Sequence, residues 1–152
     1  IALHWTIAVL ILAQFLNDDA IGTAWRAVRR GTEAAGGVLA TVHILAGIAI
    51  LALVIWRIAL RLTRGAPPPP AEESRPLRIA AAATHGTLYL LLLVLPLTGL
   101  AAWYGGIGPA AGLHETLKTV LMLLIFLHIG GALFQQFVLK SGVVARMLRP
   151  QP

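Results

Sequence analysis

Residues 37–60 read GVLATVHILAGIAILALVIWRIAL. From Gly37 to Trp56 the stretch carries no charge, and its polar side chains before Arg57 are Thr41, His43 and the Trp56 indole. At about 1.5 Å of rise per residue such a helix is about 36 Å long, enough to cross a hydrocarbon core about 30 Å thick. Comparable apolar runs occupy about 2–17, 78–104 and 116–139. Of the 152 residues, 58% are hydrophobic and 12% charged. A soluble domain of this size cannot hide that surplus. The expected fold is an all-α membrane protein, a single four-transmembrane-helix bundle over residues 1–152.

The first run reads as a span and not as a cleavable leader. It lacks a basic start, and Asn17-Asp18-Asp19 follows it where small residues would mark a cleavage site. No cysteine is present, which excludes disulfides, cysteine-held iron–sulfur clusters and covalent c-type haem.

The formal charge of +6 is organised by topology. Arg57, Arg61, Arg64, Arg75 and Arg78 lie around the second connection, Lys140, Arg146 and Arg149 follow run four, and 105–115 has no Lys or Arg. Basic residues concentrate on cytoplasmic loops, so both termini are expected there, and nucleic-acid binding is not. Arg57, Arg61 and Arg64 form a ladder able to snorkel to the inner head groups. In the first outer connection, residues 24–30 form either a short amphipathic surface helix or an irregular loop. Pro67–Pro70 make a stiff linker, Pro96 sets up a local kink in run three, and Gly105-Gly106-Ile107-Gly108-Pro109 make an outer turn.

Each run also contains one deep histidine: His4, His43, His85 and His128. Polar side chains are costly in hydrocarbon, so intramembrane histidines are rare and usually functional. Four imidazoles are the number that holds two haems by two axial ligands each. Helical rise puts His4 about 20 Å and His85 about 28 Å below the outer boundary, with His43 about 21 Å and His128 about 18 Å above the inner one. The simplest pairing by depth is His4 with His85 for an inner haem and His43 with His128 for an outer one. Small residues stand nearby: Ala46 and Gly47, Gly86, and Gly130, Gly131 and Ala132. They suit either a flat cofactor or ordinary close helix packing. Zinc would need three or four ligands at one depth, and an ion channel would show acids within the spans.

With these residues in place, the chain resembles the bacterial cytochrome b561 family. The matching segments are Leu3-His4-Trp5, Val42-His43-Ile44, Thr84-His85-Gly86-Thr87-Leu88-Tyr89 with Leu95-Pro96-Leu97-Thr98-Gly99, and Leu113-His114-Glu115-Thr116-Leu117 through Leu127-His128 to Lys140 and Arg146-Met147-Leu148. The resemblance implies a multi-pass bacterial inner-membrane cytochrome with two haem b. Its branch includes enzymes that pass electrons from superoxide to ubiquinone. The other role it implies is an electron-transfer anchor joining quinol to a c-type cytochrome or another periplasmic redox partner. Its expected partners are lipid, quinone, and superoxide or such a redox protein. One departure stands at Gln135-Gln136, where relatives carry a His-His pair. Glutamine keeps hydrogen-bonding capacity without shuttling protons, and either serves a quinone or faces neighbouring helices.

His114 begins run four in this reading, either as an interfacial histidine or as a proton-handling group for quinone or superoxide. Lys118 shares its face at i+4, and with Arg26, Arg29 and Arg30 could steer an anion to the outer haem. His114 and Lys118 are therefore the candidate catalytic residues.

Overall fold

The structure is a computed structural model and describes residues 1–32, 37–65 and 73–149. Six helices follow in order: α1 (Ala2–Leu16), α2 (Asp18–Arg29), α3 (Gly37–Arg64), α4 (Arg75–Gly105), α5 (Gly108–Phe137) and α6 (Val143–Leu148). Helices α3, α4 and α5 are long and apolar enough to cross a membrane, and α1 with α2 makes a fourth candidate if that pair, bent by 56°, is one broken span. The expected all-α membrane fold is therefore present with three to four candidate spans.

Helix ends follow local chemistry. The chain breaks between α1 and α2 at Asn17, whose Nδ2 donates to the Leu39 carbonyl of α3 at 2.6 Å. Asp18 and Asp19 occupy the first turn of α2 and Arg26 and Arg29 its last, matching the helix dipole at both ends. Residues 24–29 are helical, as the last two turns of α2, and not an irregular loop. Gly106, at φ 65°, supplies the left-handed residue that stops α4, and Pro109 starts α5 where a missing N–H costs nothing. The link between α4 and α5 is thus Gly106–Ile107, not 105–115, and α5 begins eight residues before the expected 116. Hydropathy alone missed these first two turns because they are rich in Gly, Ala and Pro. Helix α4 runs through Pro96. The Pro67–Pro70 linker and Gly36 lie outside the described residues.

Helix α4 packs against both α3 and α5, and α3 packs against α1 and α2. Two apolar clusters hold the bundle: Ile7, Ile50 and the fully buried Val54, and Leu91, Leu95 and Leu121. Large apolar side chains such as Leu12, Leu45, Leu90 and Phe126 face outward. In lipid that exposure costs little, so helices associate through dispersion contacts and hydrogen bonds rather than water exclusion. One such bond runs from Trp5 Nε1 to the Met147 carbonyl at 2.9 Å, fastening the start of α1 to α6.

Candidate functional site

The early start of α5 changes the place of His114. It stands nearly two turns inside the helix, and its ring centre is 6.4 Å from that of His43 on α3. Nδ1 of His114 lies 2.9 Å from the Leu95 carbonyl and 3.3 Å from Thr98 Oγ1. A carbonyl only accepts, so Nδ1 carries the hydrogen and Nε2 keeps its lone pair. Gly99 makes room for the ring: a Cβ there would meet His114 Cε1 and Nδ1 at 3.2 Å. Opposite, Nδ1 of His43 is buried without a hydrogen-bond partner among the described residues. The His43 backbone carbonyl accepts from Gln14 Nε2 at 2.9 Å, and Gly47 leaves space for that amide.

Both imidazoles line a half-open cavity of about 630 Å³, to which α1 to α5 all contribute. Its size falls within the range of about 300–1,000 Å³ typical of cofactor sites. The charged residues in its lining are Asp18, Arg29, Glu115 and Lys118. Lys118 Nζ lies 2.7 Å from both Asp18 Oδ2 and Glu115 Oε2, which ties α2 to α5. Its charge, expected to be free for steering an anion, is balanced by two carboxylates.

The other three histidines meet at a second level. His128 of α5 is 6.3 Å from His4 of α1 and 5.1 Å from His85 of α4, between ring centres. His85 directs Nδ1 to the Ala81 carbonyl of its own helix at 2.7 Å. Among the described residues, nothing beyond the local helix backbone lies within 4 Å of a Cβ built on Gly86, Gly130 or Gly131, so no neighbouring helix packs closely on these glycines.

The depth-based pairing of His43 with His128 is not the one the structure brings together. His114 and His128 are fourteen residues apart on α5, about 21 Å of rise, and His43 is beside the former. Depth read from Arg57 misleads because that residue is not at the inner end of α3: it lies fourteen residues past His43, as His128 lies fourteen past His114, and so stands at the level of His128. His4 and His85 do share a level, but the ring facing His4 at 6.3 Å is that of His128.

Two imidazoles bound end-on to opposite sides of one metal ion have ring centres about 6.2 Å apart, given metal–nitrogen bonds of about 2.0 Å. His43 with His114 and His4 with His128 both match that span. Among the described residues no cluster of three or more side chains is arranged to hold a bare metal ion. The donors instead come as facing pairs, the arrangement that suits a metal whose equatorial positions are filled by a planar macrocycle. A family model described as "Prokaryotic cytochrome b561" matches residues 1–150. The chain belongs to the prokaryotic cytochrome b561 family.

Similarity to curated proteins agrees. The chain is 40% identical over 99% of its length, and 93% of the relative's, to cytochrome b562 of Cereibacter sphaeroides. It is 30% identical to a protein named probable superoxide oxidase CybB of Yersinia pestis, over 97% and 92% of the two chains. Against cytochrome b561 homolog 1 of Escherichia coli K12 it is 29% identical over 70% and 72%. As a b561-family cytochrome the chain is a multi-pass membrane electron-transfer protein, and haem b is the group its family implies.

At the far end of α5, Gln135 and Gln136 face neighbouring elements. Gln135 Nε2 donates to Glu73 Oε1, and Gln136 Oε1 accepts from the Val144 amide at 3.2 Å. Glu73 is 7% exposed. Beside a proline linker in sequence it gave no signal of burial. His114 did carry a signal, the Gly108-Pro109 helix start, which places it inside the helix.

Proposed function

We propose that this chain is a di-haem b-type cytochrome of the bacterial inner membrane that carries electrons between an outer-surface donor and ubiquinone. His43 with His114 would hold the outer haem and His4 with His128 the inner one. The observation that carries this reading is the pair of ring separations, 6.4 and 6.3 Å, at two levels about 21 Å apart along α5. Haem b held by these imidazole pairs would supply one-electron transfer. The remaining residues orient and enclose. Leu95 and Thr98 fix the His114 ring, Ala81 fixes His85 as a third imidazole beside the inner pair, and Gly99 admits the outer ring. The basic second connection and C-terminal segment support cytoplasmic termini, with α1 and α2 as the fourth, broken span.

Superoxide as the donor is supported by likeness to the Yersinia pestis protein over nearly the whole chain and by Arg29 at the outer cavity. One observation favours a redox protein instead: Lys118 is neutralised by Asp18 and Glu115, so it adds no net pull on a small anion. The test measures haem stoichiometry and reduced-minus-oxidised spectra of the purified protein, then supplies superoxide with ubiquinone and no other protein. Two haem b per chain and superoxide-dependent quinone reduction are expected. Two haems without that reduction would move the donor to a redox protein, and absence of haem would refute the relay.

A further inference from the structure

Arg57 departs from the snorkelling ladder its spacing suggests. Arg57 turns into the bundle and donates Nε–H to Tyr89 Oη at 3.0 Å, with both groups partly buried. The Arg61 guanidinium stands over the Tyr89 ring, 5.9 Å from its centre. Tyr89 follows His85 by four residues on α4, which puts both on one helix face. Arg57 lies fourteen residues past His43 on α3, as His128 lies fourteen past His114 on α5, which puts it at the level of the inner imidazoles.

Two guanidinium groups thus converge on Tyr89, one helical turn from His85, and neither has an acidic partner among the described residues, where Lys118 makes the only ion pairs. Intramembrane arginines normally pair, because an uncompensated charge there is expensive. Nε of Arg57 is used by Tyr89, which leaves the two terminal nitrogens, with four N–H groups, for an outside acceptor. That planar fork fits a carboxylate or phosphate through two parallel bonds. Its position beside the His4–His128 pair selects between sources: an anion there is one carried by the group those imidazoles hold.

We propose that Arg57, oriented by Tyr89 and reinforced by Arg61, is the seat for a carboxylate of the inner haem. The proposal rests on the His4–His128 reading. Arg57 anchors the edge of the macrocycle while the imidazoles hold its centre. Its positive charge favours the reduced, more negative state of the site. Tyr89 acts as a positioning residue, since its hydroxyl fixes the rotation of the guanidinium plane.

The test uses the full chain, purified in maltoside detergent free of phospholipid and also in phospholipid membranes. Arg57→Gln, Arg57→Lys and Tyr89→Phe are compared with the parent for haem content, haem transfer to an apo-globin acceptor, and the midpoint potential of each haem. Arg57→Gln is expected to move the inner potential to a more negative value, leave the outer one in place, and speed loss of the inner haem about tenfold. Arg57→Lys keeps the charge and recovers most of the potential shift but not the retention, and Tyr89→Phe falls between. Two bound haems with unchanged potentials and release rates in all three variants would overturn the proposal. So would an effect confined to phospholipid membranes, which would assign the fork to a lipid phosphate. A parent protein without haem would instead defeat the underlying relay, so the two failures are distinct.

Discussion

Replacing Gly99 by alanine puts a methyl group against the ring that this structure places opposite His43. The new Cβ would lie 3.2 Å from Cε1 and Nδ1 of His114. Comfortable contact between such atoms is about 3.5–4.0 Å, so the ring has to withdraw from α4 by about 0.3–0.5 Å. Leu95, whose carbonyl is 2.9 Å from Nδ1, is on the same face of α4 as Gly99. Withdrawal therefore stretches that hydrogen bond to about 3.3 Å, beyond good geometry, at a cost of about 1 kcal/mol. Against it stands the gain of replacing glycine in a helix interior, about 0.5–1 kcal/mol. The two nearly cancel, so overall stability stays close to that of the parent while the His114 ring turns. The assay is a spectroscopic redox titration of the purified variant beside a thermal melt. We expect the outer haem to change its low-spin signature or midpoint, the inner haem to stay as it was, and the melting point to move by less than about 4 °C. Gly130→Ala is the control, because among the described residues nothing beyond the local helix backbone lies within 4 Å of its Cβ. If Gly99→Ala leaves both haem signatures untouched, His114 does not serve the outer site and the reasoning fails.

Further outcomes follow from the same geometry. His43→Ala or His114→Ala should remove the outer haem alone, and His4→Ala or His128→Ala the inner one, by haemochrome stoichiometry; His85→Ala should retain both, and loss of a haem there would restore the His4–His85 pairing. Lys118→Gln should cost no more than about 1 kcal/mol, because the ion pairs are partly exposed. It leaves Asp18 and Glu115 uncompensated at the outer cavity, so superoxide-driven reduction should slow and recover with added salt; an unchanged rate and salt profile would show that these charges do not face the donor. Asn17→Ala removes the Nδ2 bond to the Leu39 carbonyl and should destabilise the α1–α2 junction by about 1 kcal/mol, read as faster amide exchange in α2 with an unaltered inner haem.

Composition, apolar run length and the placement of arginines determined that this is a helical membrane protein, and four deep histidines pointed to a cofactor. These properties are legible because hydrocarbon imposes them residue by residue: each polar group in a span needs a reason, and helical rise turns residue number into depth. Which imidazoles face one another was decided only by the tertiary structure. Depth is a coordinate along one helix, whereas the approach of His114 to His43 depends on where Pro109 starts α5 and on the cleft that Gly99 opens in α4. The partners of the charges were hidden for the same reason. Lys118 meets Asp18 across 100 positions of sequence and Arg57 meets Tyr89 across 32, contacts that exist only once the helices have chosen their neighbours.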